Sequence, residues 1–311
     1  MMKKMGVGRI AGTLVLGLVF AMFSLTPGLA SEAKKAQGPC SVEHPFKKPP
    51  KVTTHLRCQN CGMNRNMWAR TRHIFKNSEG EHYTCSIHCL ADMSVRSGES
   101  PEDIRVAVYL SPDKIIPATR AYYVVGSKAP GTMTMVSKPA FGGKADAEGF
   151  AAQCGGKVVR FQQALAAATK PLAKARKMIF AKRQKRGKIA MPEARTQCSV
   201  CGMYPARYPD ARAQVMGKDK VRYHYCSTQC LFKALGEGKV KPMAVWVTLQ
   251  GSGRYDYAGS AYYVVGSRGN GPMGPEAFAF ETKQAAAAFA RKNGGQVLRF
   301  QAVNYNKIME K

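Results

Sequence analysis

Residues 198–230 read CSVCGMYPARYPDARAQVMGKDKVRYHYCSTQC, and residues 58–89 read CQNCGMNRNMWARTRHIFKNSEGEHYTCSIHC. Both stretches begin with a Cys-x2-Cys pair followed by Gly-Met, and both end with a Cys-x3-Cys pair. The two pairs are separated by 23 residues in the earlier stretch and by 24 in the later one. Four thiols that recur at the same spacing indicate that the fold is built around these cysteines.

The landmarks that follow the cysteines also recur, in the same order. AYYVVGS begins at residue 121 and again at 261, and GGKVVRFQ at 155 returns as GGQVLRFQ at 294, a period of 139 to 140 residues. A period of this length indicates two copies of one domain and not a solenoid of short units. The sequence predicts a signal peptide at 1–30, an N-terminal extension at 31–57, a first domain at 58–165, a basic linker at 166–197, a second domain at 198–305 and a C-terminal tail at 306–311.

Within each copy, the sequence predicts short strands alternating with helices. In the second copy, two strand-like runs flank a polar turn at 217–220 and predict a hairpin. A Ser-Thr pair at 227–228 then opens a short helix that ends at Gly236. The β-branched and aromatic run at 242–249 predicts the next strand, and the second half repeats this order. We therefore predict an α+β fold of two tandem domains, each made of two β-β-α-β halves with a small sheet and helices on one face.

Eight of the ten cysteines belong to the repeated pattern, whereas Cys40 and Cys154 have no counterpart in the second copy. The eight are Cys58, Cys61, Cys85, Cys89, Cys198, Cys201, Cys226 and Cys230. The Cys-x3-Cys spacing places two thiols one helical turn apart on the same face. The tight turn at each Cys-x2-Cys-Gly presents the other two on one side, so the four thiols of each copy could converge on one point.

Three kinds of chemistry fit such a quartet. The spacing is similar to that of zinc ribbons and is typical of a structural Zn(II) site. An oxidising compartment would favour disulfides within each quartet. Cu(I) is the third alternative, because a methionine follows the Cys-x2-Cys in each copy, at Met63 and Met203. A thioether is a soft ligand that binds Cu(I) but hardly Zn(II).

The segments CSVCGMYPARYPDARAQV, AYYVVGS, GNGPMGPEAFAF and FARKNGGQVLRF, in this order, resemble the NosL family, the nitrous oxide reductase accessory proteins. The resemblance covers the second repeat and, more loosely, the first. It implies an exported Cu(I)-binding protein that hands copper to an enzyme or carrier. It also implies that the metal-binding pairs are Cys61 with Met63 and Cys201 with Met203, and that the other cysteines of each quartet complete or neighbour these sites.

Further candidates lie near these motifs. Met133 and Met273 lie in Gly/Pro-rich loops, and we interpret them as outer or transient ligands. Pro275 stands where NosL members often carry a histidine, so that loop offers no histidine ligand. The Cys-x3-Cys pairs resemble the tail of the TRASH-type metal-binding motif. His88, inside the first of these pairs, is expected to be exposed on a helix turn.

The N-terminus predicts export. A positively charged start precedes the apolar run at 10–23, and a small-residue cleavage site follows Ala30. The run is shorter than the roughly 20 residues that a transmembrane helix needs, which favours a cleaved signal peptide. We see no lipobox, because Cys40 lies too far downstream. The expected location is therefore the periplasm, and an uncleaved N-terminal membrane anchor is the alternative.

The amino-acid composition indicates which classes of partner the chain is expected to bind. The chain has 48 Lys and Arg against 19 Asp and Glu, a formal net charge of +29. This charge predicts attraction to an acidic partner protein or an anionic membrane surface. It is not grouped into a nucleic-acid motif, so no nucleic acid is expected. Motifs such as G-x-S-x-G, H-E-x-x-H and the phosphate loop do not occur, and no catalytic activity is predicted.

These observations predict an exported Cu(I)-binding metallochaperone that delivers copper to a periplasmic enzyme or carrier, with maturation of a nitrous oxide reductase as one candidate pathway. One alternative is a structural, zinc-stapled binding module with a basic docking surface. Another is a thiol/disulfide redox protein.

Overall fold

The chain contains two successive copies of one arrangement of strands and helices, and each copy has a cysteine quartet and a strand hairpin. The structure, a computed structural model, describes Cys40 and residues 54–310. The predicted signal peptide and most of the predicted N-terminal extension lie outside the described residues. The first copy comprises β1 (His73–Asn77), β2 (Gly80–Thr84), α1 (Ile87–Ser97), β3 (Glu102–Val108), β4 (Ser111–Pro117), β5 (Tyr122–Val125), β6 (Ala140–Phe141), α2 (Lys144–Cys154), β7 (Lys157–Arg160) and α3 (Phe161–Thr169).

The second copy follows helix α4 (Leu172–Lys185) and has nearly the same order. It comprises β8 (Ala213–Gly217), β9 (Arg222–Tyr225), α5 (Thr228–Gly236), β10 (Pro242–Thr248), β11 (Tyr255–Tyr257), β12 (Tyr262–Val265), β13 (Asn270–Gly271), β14 (Gly274–Pro275), β15 (Phe278–Phe280), α6 (Lys283–Asn293), β16 (Gln296–Arg299) and α7 (Tyr305–Met309). The predicted hairpin, capped helix and following strand of this copy are β8–β9, α5 and β10.

Each copy contains one four-stranded and one three-stranded antiparallel sheet. The four-stranded sheets have the orders β2-β1-β3-β4 and β11-β10-β8-β9, and the three-stranded sheets have the orders β6-β5-β7 and β15-β12-β16. The short hairpin β13–β14 occurs in the second copy. The fold is therefore α+β, as predicted, and the four-stranded sheets gain a strand (β4 or β11) that the β-β-α-β pattern did not include.

The core of each copy lies where its two sheets meet its helices. In the second copy, Val215 of β8, Leu231 of α5 and Tyr263 of β12 belong to one buried cluster. In the first copy, Ala91 of α1 and Tyr123 of β5 occupy a corresponding cluster. Because α1 and α5 pack into these cores, the cysteines at their first turns are held against rigid structure.

The segment predicted as a basic linker at 166–197 contains helix α4. Its apolar residues recur at helical spacing, and Leu172 and Ala175 are buried. Phe180 packs with Trp246 and Tyr255 of the second copy. The lysines of α4 face outward, so one side of this helix joins the two copies while the other carries positive charge.

The domain boundaries themselves stay predictions. Within the described residues, no helix is both long and apolar enough to cross a membrane.

Candidate metal centres

The two Cys-x2-Cys-Gly-Met segments form the same tight turn. The backbone N–H of Cys58 donates to the carbonyl of Met63 (2.8 Å), and that of Gly62 donates to the carbonyl of Cys58 (2.8 Å). The corresponding distances in the second copy are 2.7 and 3.0 Å. Gly62 and Gly202 have φ angles of +74° and +77°, which favour glycine. This turn points both of its thiols to one side.

The Cys-x3-Cys pairs flank the caps of α1 and α5. Ser86 and Ser227 are the N-cap residues, and their side chains accept hydrogen bonds from the backbone N–H of Cys89 and Cys230. Cys85 therefore lies just before the helix. The prediction that Cys85 and Cys89 lie one helical turn apart had placed Cys85 within it. Its thiol nevertheless lies beside that of Cys89, because the extended Ser86 turns the chain into the helix.

In each copy the four sulfur atoms lie within 4.8 Å of one another. The short Sγ–Sγ distances are 3.6 Å for Cys61–Cys85, 3.6 Å for Cys85–Cys89, 3.4 Å for Cys201–Cys226 and 3.8 Å for Cys226–Cys230. Four sulfurs about 2.3 Å from a tetrahedral ion would lie roughly 3.8 Å apart. The quartets thus have the spacing to hold one soft ion each. We call them the first centre (Cys58, Cys61, Cys85, Cys89) and the second centre (Cys198, Cys201, Cys226, Cys230).

Hydrogen bonds among the thiols favour the thiolate form of Cys58 in the first centre and of Cys198 in the second. Burial raises the pKa of the Cys58 thiol, but hydrogen bonds from the other three thiols outweigh burial and hold this pKa well below its ordinary value. The hydrogen bond with Cys58 raises the pKa of Cys85 and of Cys89. In the second centre, the hydrogen bond with Cys226 is the main cause that lowers the pKa of Cys198. A soft cation could bind this thiolate first and then displace the remaining thiol protons.

The candidate methionines are placed differently in the two copies. Met63 and Met133 both pack against the thiols of the first centre. Met133 has a φ of +61°, so the loop adopts an uncommon conformation where it meets the thiols. Met203 packs against the core cluster that contains the second centre. Met273 lies in the turn between β13 and β14, and 37% of its surface is exposed.

A buried guanidinium lies close to the first centre. Arg65 is almost fully buried, and burial lowers its pKa to about 10, while the charges of Cys58 and Cys85 act in the opposite direction. It donates to the carbonyl of His55 (2.8 Å) and lies over the ring of Tyr83. A fixed positive charge offsets the negative charge of several thiolates. The second copy has Pro205 at the equivalent position.

Histidines do not join either group of metal-ligating side chains among the described residues. His88 was expected to be exposed, and this prediction is wrong, because α1 packs inward and buries the imidazole. Burial lowers the pKa of His88 and favours its neutral form. Gln229 occupies the same place in α5, and its amide nitrogen donates to the Met309 sulfur (3.0 Å).

The two unrepeated cysteines form a disulfide. Cys40 and Cys154 are bonded across 114 residues, with Cα atoms 5.3 Å apart. The other eight cysteines are free thiols. The disulfides weighed for each quartet are therefore not formed in this structure. One chain thus combines an oxidised pair with two quartets of free thiols.

Comparison with known proteins follows the same division of the chain. A profile of the NosL family matches residues 49–168 and again residues 189–308. The chain belongs to the NosL family. Both NosL copies contain a complete thiol quartet, so the family match and the two centres coincide.

Two relatives of known character are similar to parts of this NosL chain. It is 32% identical over 127 residues to the copper-binding lipoprotein NosL of Stutzerimonas stutzeri, a match that covers 37% of this chain and 65% of the relative. The chain therefore spans slightly less than two thirds of that relative. The crystal structure of the copper chaperone NosL from Shewanella denitrificans is 25% identical, with 38% of this chain and 96% of that chain covered. Its TM-score of 0.36 is too low to support a structural argument.

Several residues around the first NosL centre were not identified from the sequence. Asn60 lies between the two cysteines of the turn and donates to Asp92 of α1 (3.0 Å). Arg183 of α4 donates to the carbonyl of Cys61 (3.2 Å). Tyr257 of the second copy lies against Gly62. The spacing of Asp92 four residues before Arg96 was a usable signal for an ion pair on α1, but nothing local indicated the other contacts.

Proposed function

We propose that the chain is an exported Cu(I)-binding metallochaperone. Cys61 with Met63 and Cys201 with Met203 would bind the ion, and the remaining cysteines of each quartet would complete the sites. The observation that carries this proposal is the convergence of four free thiols in each copy, with Met63 packed against the first quartet and Met203 packed against the core cluster that contains the second. Thiolate and thioether sulfur together are the ligands that Cu(I) prefers among biological metals.

The relatives support copper as the cargo. One is named as a copper-binding lipoprotein and the other as a copper chaperone. Their names support a copper-handling role for this chain and leave the recipient open. We propose a periplasmic enzyme or carrier as recipient, with maturation of a nitrous oxide reductase as one candidate pathway.

Copper would move by ligand exchange. An incoming donor from the recipient would attack the bound ion while one protein sulfur leaves, so that the ion is never released into solution. The net charge of +29 would steer docking toward an acidic recipient, or hold the protein near an anionic membrane surface. The oxidised Cys40–Cys154 pair is consistent with export.

Structural zinc is the second candidate. Four buried thiols at tetrahedral spacing fit a closed Zn(II) site, and the first centre meets this description. A protein with two such sites would act through its basic surface and not through metal transfer. A thiol/disulfide exchange protein is disfavoured, because seven of the eight quartet thiols are buried.

Substitution of the two methionines distinguishes a copper site from a zinc site. We expect Met63→Leu and Met203→Leu together to lower Cu(I) affinity by at least about tenfold, a change of about 1.4 kcal/mol. Zn(II) affinity should stay unchanged, because four thiolates remain. Competition with a calibrated Cu(I) chelator under anaerobic conditions measures the first, and a zinc indicator measures the second. Met216→Leu, at a methionine that packs beside Trp246 and away from the thiols, is the matched control. Unchanged Cu(I) affinity in the double variant would contradict the ligand assignment.

A further inference from the structure

The two cysteine turns have the same backbone but different surroundings. A Cβ atom built on Gly62 would lie 2.6 Å from the ring of Tyr257. A Cβ atom built on Gly202 would have no described atom within 4 Å. The first turn is therefore covered by another part of the protein, whereas the second faces open space.

The cover of the first turn comes from outside its own copy. Tyr257 and Gly259 belong to the second copy, and Gly259 lies close to the carbonyl of Gln59. Arg183 reaches from α4 to the carbonyl of Cys61. A ligand that approaches from the side of Gly62 would have to displace these groups.

Buried hydrogen bonds and ion pairs connect the first turn to the second copy. Asn60 donates to Asp92, which also pairs with Arg96 at 3.0 Å. Arg96 in turn pairs with Asp256 of the second copy at 2.7 Å. Arg176 of α4 extends the network, because it bonds Asp92 at 2.6 Å. The network continues from Arg176 to Glu281 of the second copy at 2.9 Å.

Among the described residues, the second centre has no equivalent network. Val200 and Lys233 occupy the positions that correspond to Asn60 and Asp92. Cys201 is the one quartet thiol that is partly exposed, whereas its counterpart Cys61 is 7% exposed. The two centres therefore differ in access and in what their turns hold together.

We propose that the two centres have different roles. An ion in the first centre is retained and holds the two copies together, whereas copper enters and leaves through the second centre. The inference rests on the proposed function and adds which site exchanges. Ligand exchange needs an incoming donor to reach the ion, and Tyr257 and Arg183 cover the first centre on the side of Gly62, where the second centre is open. Release from the first centre would also loosen the Asn60–Asp92–Arg96–Asp256 network.

Isotope exchange tests the division directly. The full chain is loaded with one stable copper isotope as Cu(I) and challenged with a Cu(I)–bicinchoninate complex of the other isotope, and native mass spectrometry follows the replacement. We expect one equivalent to exchange at least about tenfold faster than the other, which corresponds to a barrier difference of about 1.4 kcal/mol. Cys201→Ser should remove the fast equivalent. Two equivalents that exchange at one rate would overturn the inference and leave the proposed function intact. Failure of both centres to take up Cu(I) would instead overturn the proposed function.

A variant of the cover sharpens the result. Tyr257→Ala should accelerate the slow equivalent and leave the fast one unchanged. Tyr305→Ala removes a half-buried tyrosine that stacks on Lys233 in the same copy, and it should change neither rate.

Alkylation gives a second readout that needs no metal. In the reduced, metal-free chain, N-ethylmaleimide should label Cys201 before any thiol of the first centre, as read by peptide mass spectrometry. Equal labelling of both quartets would contradict the inference that the first centre is covered and the second is open.

Discussion

The first and second centres have the same backbone but different roles in the packing of the chain. Each centre has the same turn, the same serine cap and the same four sulfurs. The first is covered by Tyr257 and joined through Asn60 and Asp92 to the other copy, whereas the second lies beneath an open turn. The residues that the two copies share determine the thiol geometry, whereas residues that differ between the copies determine access to the thiols.

The largest expected effect comes from the buried network. Asp92→Ala leaves Arg96 and Arg176 without their shared carboxylate, and breaking such a buried pair costs about 4 kcal/mol. The free energy of unfolding, measured by urea denaturation under reducing conditions, should fall by this amount. Lys233→Ala, at the equivalent position of the second copy, should change it by less than about 0.5 kcal/mol. Equal effects of the two substitutions would show that the network does not distinguish the copies.

The disulfide is the next difference between the copies. Cys154→Ala opens a covalent link across 114 residues and should cost roughly 3 kcal/mol of stability. Asn293 ends α6 where Cys154 ends α2, and its side chain donates to the carbonyl of Phe289. Asn293→Ala should cost no more than about 1 kcal/mol. Thermal unfolding of both variants without reductant makes the comparison, and a smaller loss for Cys154→Ala would contradict it.

A buried carboxyl distinguishes the second copy by its pH dependence. Glu276 accepts hydrogen bonds from Thr228 and from the backbone N–H of Gln229, while its Oε2 has no partner among the described residues. Burial raises the pKa of Glu276 from 4.5 to about 7. Ser137 stands at the corresponding place in the first copy, as counted back from the paired strands β6 and β15.

The sign of that dependence follows from the raised pKa. Between pH 4.5 and about 7 the folded state keeps a proton that the unfolded chain has lost, so the free energy of unfolding falls as pH rises through this window. Glu276→Gln should remove about 3 kcal/mol of this fall. Urea denaturation at pH 4 and at pH 8 measures this fall. If the unfolding free energy fell equally in parent and variant, Glu276 would titrate normally.

The smallest expected effect compares the two turn glycines. Gly202→Ala puts a Cβ into open space, and its cost of about 1 kcal/mol reflects only the positive φ. Gly62→Ala has the same backbone strain and also meets the ring of Tyr257, so it should be less stable by about a further 1 kcal/mol. Adding Tyr257→Ala to each variant should remove the difference. A difference that persists would place its cause elsewhere.

The sequence predicted those features that depend on nearby residues. The turns follow from Cys-x2-Cys-Gly-Met, and α5 follows from Ser227 and Gly236, because caps and glycines act locally. Convergence of the four thiols also followed, since the hairpin β8–β9 folds the two cysteine pairs together.

The remaining features depend on contacts between distant segments. The cover of Gly62 by Tyr257 joins residues almost two hundred positions apart, and no spacing rule reveals it. The burial of His88 was mispredicted because α1 packs on all sides of its first turn. The charged segment at 166–197 was predicted to be a linker, although the apolar spacing at Leu172 and Ala175 was a signal for helix α4.

We propose that the two thiol quartets bind copper, and the metal content of the protein decides this. It is tested most directly by a metal and thiol count on protein purified anaerobically from the exported fraction, followed by Cu(I) titration against a competing chelator. We expect copper at both centres and eight thiols that become titratable when the metal is removed, with one disulfide left intact. Stoichiometric zinc that Cu(I) cannot displace, or quartets already oxidised to disulfides, would contradict it.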